Sequence, residues 1–146
     1  MQDNITLQKL PYNEENTILD IINSDYILKK TFCGMDNTIS RIINSSYIGL
    51  IKKDNATIGF IMLVYNCLNK NHELDIGIIS NYRYQGYGTQ ALGLMKEIIT
   101  KEKANITIQV KNENIPATKM VENNNFTLVA HDNRFSYYSN NKVLKK

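Results

Sequence analysis

Hydrophobic residues alternate with polar ones in several short segments, and this period of two predicts β-strands. The predicted strands are residues 5–10, 47–52, 57–65, 72–79, 106–110, 126–130 and 134–138. The second and third are separated by the turn 53–56, and the last two by the turn 131–133, so each pair is expected to form a hairpin. The chain therefore contains enough strands for one sizeable sheet.

Apolar residues spaced three and four apart predict helices between these strands. The first carries Ile18, Ile21 and Ile22 and follows a possible Asn13 cap, and a second short helix carries Ile39, Ile42 and Ile43. A third opens near Thr89, and a fourth is capped by Asn114 with Pro116 in its first turn. The order strand, helix, strand over residues 72–110 predicts a crossover unit.

Length and composition favour an ordinary globular domain. The chain has 146 residues, of which 42% are hydrophobic and 21% charged, so we expect a single domain over residues 1–146. No apolar run approaches the roughly 20 residues that span a bilayer. The N-terminus also lacks a basic segment followed by an apolar core, so we expect a cytoplasmic protein without membrane contact. The two cysteines and two histidines have no metal-ligand spacing, so no metal is predicted.

Charge is distributed unevenly along the chain. Residues 1–46 carry six acids and four bases, a net charge of -2, and residues 47–146 carry eight acids and thirteen bases, a net charge of +5. A basic second half suits a phosphorylated ligand, and an acidic first half suits a cationic one, although solvated surface explains both equally well. Basic residues do not cluster with aromatic ones, which argues against a nucleic-acid partner.

The segment Arg83-Tyr84-Gln85-Gly86-Tyr87-Gly88 lies between a predicted strand and a predicted helix. Two glycines let the backbone approach a ligand, and the free N–H groups at a helix start favour an anion such as phosphate. Gly86-x-Gly88-x-x-Ala91 also fits the dinucleotide fingerprint, but the loop from Ser80 is long and no acid ends the next strand. A plain tight turn is a third interpretation.

A second segment changes the balance between these interpretations. Residues 73–91 and 110–126 together resemble the cofactor-binding core of the GNAT superfamily of acyl-coenzyme A N-acyltransferases. The family's Gln/Arg-x-x-Gly-x-Gly/Ala motif is matched by Arg83, Gly86 and Gly88. Its later strand ending in Val, its Asn-x-x-Ala/Ser helix start and its terminal Gly-Phe correspond here to Val110, Asn114, Ala117 and Asn125-Phe126. The Asp75-Ile76-Gly77 pattern is similar to the ribosomal-protein-alanine and polyamine acetyltransferase branch.

The resemblance implies an α+β (α/β) fold. Its centre is a mixed, mostly antiparallel sheet of six to seven strands with about four helices, splayed between strands 4 and 5. It also implies acetyl-coenzyme A as co-substrate, an unidentified amine acceptor and a monomer or homodimer. The pyrophosphate would bind backbone amides, and the pantetheine arm would lie beside strand 4. The residues expected to contact the cofactor are Ile78, Ile79, Arg83, Tyr84, Gln85, Gly86, Tyr87, Gly88, Thr89 and Asn114.

The chemistry of acetyl transfer suggests two catalytic candidates. A carboxylate would help remove the proton of an ammonium, and Glu73 and Asp75 alternate on strand 4 so that they share a face. An exposed strand face bearing acids is an equally good explanation. A strand-4 N–H, that of Ile78 or Ile79, would stabilise the oxyanion.

The chain departs from the family pattern at one position. Many members have a tyrosine seven residues after the motif asparagine, where this chain has Val121. Other tyrosines that could protonate the leaving thiolate are Tyr82, Tyr84, Tyr87, Tyr137 and Tyr138. The missing tyrosine leaves a second hypothesis open, a non-catalytic acyl-coenzyme A binding or sensing domain.

Acceptor identity should depend on the first 46 residues, the hairpin after Tyr47 and the loop 66–71. Tyr26, Phe32 and Met35 could line a site for a cationic amine there, although a helix core explains them equally well.

Overall fold

A computed structural model describes residues 4–11, 14–33, 38–68, 70–102 and 105–140. These residues form seven strands, namely β1 Ile5–Lys9, β2 Ser45–Lys53, β3 Ala56–Asn66, β4 Asn71–Ile78, β5 Ile106–Lys111, β6 Thr127–His131 and β7 Phe135–Ser139. The helices are α1 Glu15–Ser24, α2 Tyr26–Cys33, α3 Thr38–Ile43, α4 Tyr87–Glu102 and α5 Ile115–Asn123, with a 3-10 turn at Ser80–Tyr82.

All seven strands belong to one sheet with the order β1-β2-β3-β4-β5-β7-β6. Neighbouring strands are antiparallel except for β4 and β5, which are parallel and joined through α4. The register between β4 and β5 extends over two pairs, His72 with Ile106 and Glu73 with Thr107. From Leu74 onward β4 leaves its neighbour, which confirms the predicted mixed sheet with a splay between strands 4 and 5.

Helices cover both faces of the sheet. Strand β3 is apolar nearly throughout because successive side chains enter different cores. Ile61 and Leu63 belong to a core with residues of α4 and α5, while Phe60 and Met62 pack with residues of α1, α2 and α3. The first of these cores lies beside the splay, so α4 and α5 form the walls of any cleft that opens there.

The helix count differs from the prediction of about four. Helix α2 was not predicted, and Phe32 within it is buried in the α1–α3 core while Tyr26 is 75% exposed. Helix α1 begins at Glu15 with Glu14 at its cap position, and the predicted cap Asn13 lies outside the described residues, as does Met35. Helix α4 begins at Tyr87, two residues before the predicted start.

Two kinds of feature are absent from the described residues. No helix there is long and apolar enough to cross a membrane. Nor does that part of the chain bring three or more His, Cys, Asp or Glu side chains together as metal ligands.

Candidate active site

A cleft of about 160 Å³ opens where β4 leaves β5. The start of α4 forms one wall and the start of α5 forms the other. Its lining includes eight predicted cofactor residues, which are Ile78, Arg83, Tyr84, Gly86, Tyr87, Gly88, Thr89 and Asn114. The other residues of the lining, which were not among the predicted cofactor contacts, are Ile76, Tyr82, Pro116, Ala117 and Met120. The structure therefore brings together residues that are up to 44 positions apart in sequence, from Ile76 to Met120.

Ile79 and Gln85 do not line this cleft. The side chain of Ile79 packs against the α1–α3 core, on the other face of the sheet. The Gln85 side chain is exposed and donates from Nε2 to the Asn81 carbonyl oxygen at 3.1 Å. Any cofactor contact from either residue would have to come from its main chain.

The main-chain hydrogen bonds of β4 decide which N–H groups reach the splay. Ile79 N–H donates to the Ile58 carbonyl oxygen at 2.8 Å, so it is already engaged with the β3 side. In an antiparallel pair, consecutive residues direct their N–H groups alternately toward and away from the partner strand. The N–H groups of Ile78 and Ile76 therefore face the open side of β4. Of the two predicted oxyanion donors, Ile78 is the one directed into the splay.

The loop before α4 has the geometry of an anion site. Tyr84 and Gly86 have positive φ angles of 64° and 85°. The Gln90 N–H donates to the Gly86 carbonyl oxygen at 3.1 Å, and this bond closes the first turn of α4. The N–H groups ahead of Gln90 have no intrahelical acceptor, and the positive end of the helix dipole lies with them. A non-glycine residue at positive φ is costly, and such strain is typical of ligand-binding loops.

The two loop glycines are needed for different reasons. A Cβ added at Gly86 would meet no heavy atom within 4 Å, so the positive φ of this residue is what favours glycine. A Cβ at Gly88 would lie 3.1 Å from Met120 Sδ and 3.8 Å from Ile78 Cγ1. Both of those residues line the cleft, so Gly88 keeps that space open.

Replacing Gly86 by alanine should lower the free energy of unfolding by about 1 kcal/mol, because alanine is strained at positive φ. Urea denaturation measures this loss. Gly86→Asn is the matched variant and should lose less, since asparagine tolerates the left-handed conformation better. Equal losses for both variants would contradict this explanation.

Asn114 has the predicted position at the start of α5. Its side-chain Oδ1 accepts the Ala117 N–H at 3.1 Å, and Pro116 occupies the first turn. Within the described part of the chain, its amide nitrogen has no hydrogen-bond partner. The residue can therefore cap the helix and still offer an N–H group to a ligand in the cleft.

The two predicted acids share a face of β4, but a third residue joins them there. Arg41 of α3 donates from Nη1 to Glu73 Oε1 at 2.8 Å, from Nε to Asp75 Oδ2 at 2.8 Å and from Nη2 to Asp75 Oδ1 at 3.2 Å. Asn66 Nδ2 donates to Glu73 Oε2 at 3.0 Å. All four carboxylate oxygens are thus hydrogen-bonded, and the cluster of two acids and one arginine keeps a net charge of -1.

The surroundings shift the pKa values of the two carboxyl groups in opposite directions. Burial raises the pKa of Asp75 above its ordinary value, despite the opposing effect of Arg41. Burial also acts to raise the pKa of Glu73, but hydrogen bonds from Asn66 and Arg41 outweigh it and lower that pKa. Burial therefore strengthens Asp75 as a base, while its hydrogen bonds weaken Glu73.

Sequence patterns did not reveal Arg41. It lies on a six-residue helix, and its partners are 32 and 34 positions away along the chain. The one available signal was a single arginine among the isoleucines of α3. Nothing in that spacing indicates two carboxylates as partners.

The tyrosine candidates divide into two groups. Tyr82, Tyr84 and Tyr87 line the cleft. Tyr138 is buried and its hydroxyl donates to Glu122 Oε2 at 3.2 Å, while the Tyr137 hydroxyl accepts from Gln109 Nε2 at 3.4 Å, both away from the cleft. Val121, at the family's tyrosine position, is fully buried in the core.

Comparison with known proteins agrees with this geometry. Residues 16–126 match the model of the acetyltransferase (GNAT) family. No curated protein matches the chain in sequence.

Solved structures are similar over almost the whole chain. The ribosomal L7/L12 α-N-protein acetyltransferase RimL, solved with coenzyme A, has a TM-score of 0.69 at 15% identity over 92% of both chains. The spermidine N-acetyltransferase of Vibrio cholerae has a TM-score of 0.67 at 14% identity, also over 92% of both chains. The Campylobacter jejuni N-acetyltransferase PseH, solved with acetyl-coenzyme A, has a TM-score of 0.63 at 22% identity over 96% of this chain and 100% of its own. At these identities the likeness is one of fold.

Proposed function

Because this chain belongs to the acetyltransferase (GNAT) family, we propose that it transfers an acetyl group from acetyl-coenzyme A to a primary amine by direct attack. The observation that carries the proposal is the cleft at the β4–β5 splay, where unpaired strand N–H groups meet the start of a helix. Both substrates would be bound together in a ternary complex. No covalent acetyl-enzyme is required, and none of the described residues in the cleft is a cysteine.

We assign the pyrophosphate and the pantetheine arm of the cofactor to different parts of the cleft. The pyrophosphate would accept hydrogen bonds from the loop N–H groups between Tyr84 and Thr89. The pantetheine arm carries amides, so it would lie along the open side of β4 and pair with the main chain of Ile76 and Ile78. Asn114 would reach the cofactor from α5. Shape and main-chain groups hold the cofactor, and few side chains need to be charged.

The reaction requires a neutral amine, a stabilised oxyanion and a leaving thiolate. The amine nitrogen forms a bond to the thioester carbon, the C–S bond breaks, and coenzyme A leaves as a thiolate. The Ile78 N–H would bind the oxyanion. Asp75 would accept the amine proton through water, since three residues of extended strand place its Cα about 10 Å from that of Ile78. Glu73, whose pKa is lowered by the hydrogen bonds from Asn66 and Arg41, would attract the ammonium form.

The acceptor class follows from charge. The Arg41–Glu73–Asp75 cluster has a net negative charge, and residues 1–46 carry a net charge of -2. A cationic primary amine is therefore the acceptor we propose. The relatives named above act, by their names, on a ribosomal protein N-terminus and on spermidine, and both are amines.

A second function has one specific observation in its favour. All four carboxylate oxygens of Glu73 and Asp75 are engaged by Arg41 and Asn66, so neither acid is a free base. A domain that binds or senses acyl-coenzyme A without turnover would show this arrangement. The two functions share the cofactor cleft and differ in whether the cofactor thiol is released.

Thiol release separates these two functions. The protein should be incubated with acetyl-coenzyme A and a panel containing spermidine, an aminoglycoside, an amino acid and a peptide with a free N-terminus, while free thiol is followed. We expect release with at least one cationic amine, above the rate without protein. Binding of coenzyme A with no release for any amine would favour the sensing domain.

A thermal shift provides the control for cofactor identity. Acetyl-coenzyme A should raise the melting temperature, because a ligand that binds the folded state stabilises it, and NAD should leave it unchanged. A shift with NAD alone would contradict the proposed cofactor.

A further inference from the structure

A buried carboxylate on the face opposite the cleft forms hydrogen bonds with Ser80, which follows the end of β4. Asp25, between α1 and α2, is 7% exposed. Its Oδ1 accepts the Ser80 N–H at 2.9 Å, and its Oδ2 accepts the Ser80 hydroxyl at 2.8 Å and the Leu28 N–H at 3.1 Å. A buried charge is tolerated when such donors replace the water it has lost.

These donors keep the carboxylate ionised. Burial acts to raise the pKa of Asp25, but the hydrogen bonds from Ser80 and Leu28 outweigh it, and Arg83 adds electrostatic attraction. The pKa therefore lies below its ordinary value. At neutral pH the group accepts hydrogen bonds and donates none.

Ser80 begins the segment that leads into the anion site. Within that segment the hydrogen bonds are local, from Tyr82 N–H to the Ile79 carbonyl, from Arg83 N–H to the Ser80 carbonyl, and from the Gln85 amide to the Asn81 carbonyl. Among the described residues, the bonds from Ser80 to Asp25 are those that join residues 80–85 to a distant part of the chain. The position of the loop therefore depends on these hydrogen bonds together with the packing of Tyr82 against the core that contains Ile51 and Ile58.

Packing supports the same contact from the side of α2. A Cβ at Gly77 would lie 2.9 Å from Leu28 Cδ2 and 2.8 Å from the Phe60 ring. The missing side chain lets α2 approach the end of β4 closely, which brings its first residues to Ser80. Asp25 also caps α2 through the Leu28 N–H.

We propose that Asp25 is a positioning residue for cofactor binding, which holds Ser80 and thereby fixes the start of the loop that binds the pyrophosphate. This inference rests on the proposed function, because it requires acetyl-coenzyme A in the cleft. Asp25 does not line the cleft and acts through Ser80. The loop contains two residues at positive φ, and such a conformation persists only where its ends are held.

The test uses Asp25→Asn, which keeps the shape of the side chain. The change replaces one carboxylate oxygen by an NH2 group, which would face the N–H and O–H donors of Ser80 and Leu28 and could not accept from them. Calorimetric titration with coenzyme A should show a Kd increased about 10-fold, and the KM for acetyl-coenzyme A should rise equally. At saturating acetyl-coenzyme A, kcat should stay within about twofold of the original. Asp20→Asn on the exposed side of α1 removes the same charge and should change neither constant.

Ser80→Ala gives a second, milder variant, which decides the matter if Asp25→Asn fails to fold. It loses the hydroxyl donor but keeps the N–H donor, so Kd should rise about threefold. Unchanged Kd in either folded variant, or a loss of kcat with KM unchanged, would overturn the inference. If the protein without substitutions does not bind coenzyme A, the proposed function is overturned before any variant is compared.

Discussion

Replacing Gly88 by valine should weaken the binding of acetyl-coenzyme A by about 100-fold, which corresponds to about 2.8 kcal/mol. A Cβ at this position already lies 3.1 Å from Met120 Sδ, and the two γ-carbons of valine would extend into the space beside Ile78. That space is part of the cleft in which we propose that the cofactor binds. Calorimetric titration with coenzyme A measures the loss.

Two control variants separate filling of the cleft from damage to the helix. Gln90→Val places the same β-branched residue in the first turn of α4 at an exposed position, so binding should stay as in the original. Gly88→Ala should bind weakly, and Gly88→Ala combined with Met120→Ala should recover much of the affinity because the crowding atom is gone. If the Gly88→Val variant binds coenzyme A with unchanged affinity, the cofactor does not occupy the cleft beside Gly88.

Replacing Asp75 by asparagine should lower kcat/KM for the amine by about 100-fold or more, the range expected for loss of a general base. The change removes the basic oxygen but keeps the size of the side chain. Steady-state kinetics at saturating acetyl-coenzyme A measure it, and the Kd for coenzyme A should remain unchanged. Glu73→Gln is the matched variant and should mainly raise the KM for the amine. An equal loss of kcat in both variants would contradict the separate roles.

The pH dependence of activity shows whether a carboxylate of the Arg41–Glu73–Asp75 cluster acts as the general base or only stabilises the structure. Arg41 lowers the pKa of both Glu73 and Asp75, so Arg41→Gln should raise both. A base acts when it is deprotonated, so the loss of activity on the acidic side should move to higher pH. Arg41→Lys keeps the charge without the planar fork and should recover part of the shift. A profile that does not move would argue against an acid of this cluster as the base.

Much of the fold could be predicted because local patterns and tertiary packing agree. The two predicted hairpins were found within two residues of their predicted bounds, and the crossover through α4 and the cap at Asn114 were also found. Helix α2 was missed because its eight residues show little beyond Leu28 and Phe32 as an apolar face. Both residues are placed by contacts with distant Phe60 and Gly77.

The candidate site was predictable to different degrees on its two sides. The cofactor side is built by contiguous segments, a loop with two glycines and a helix cap, and eight of its ten predicted residues line the cleft. Both Ile78 and Ile79 were predicted to contact the cofactor. The main-chain hydrogen bonds alternate along β4, so the Ile79 N–H is bonded to β3 and the Ile78 N–H faces the cleft. The acidic side depends on Arg41, whose carboxylate partners lie 32 and 34 positions away. The contact proposed to hold the cofactor loop joins Asp25 to Ser80, 55 positions away.

The sequence by itself determined most of the helices and strands, the family resemblance and the loop that we propose binds phosphate. Each of these depends on neighbouring residues through periodicity, caps and backbone freedom. The tertiary structure decided which strand N–H groups face the splay, that Gly88 is needed for space while Gly86 is needed for its φ angle, and that the two acids are held by Arg41. These features arise where segments distant in sequence meet. Their physical basis is packing distance and charge pairing, which no local pattern encodes.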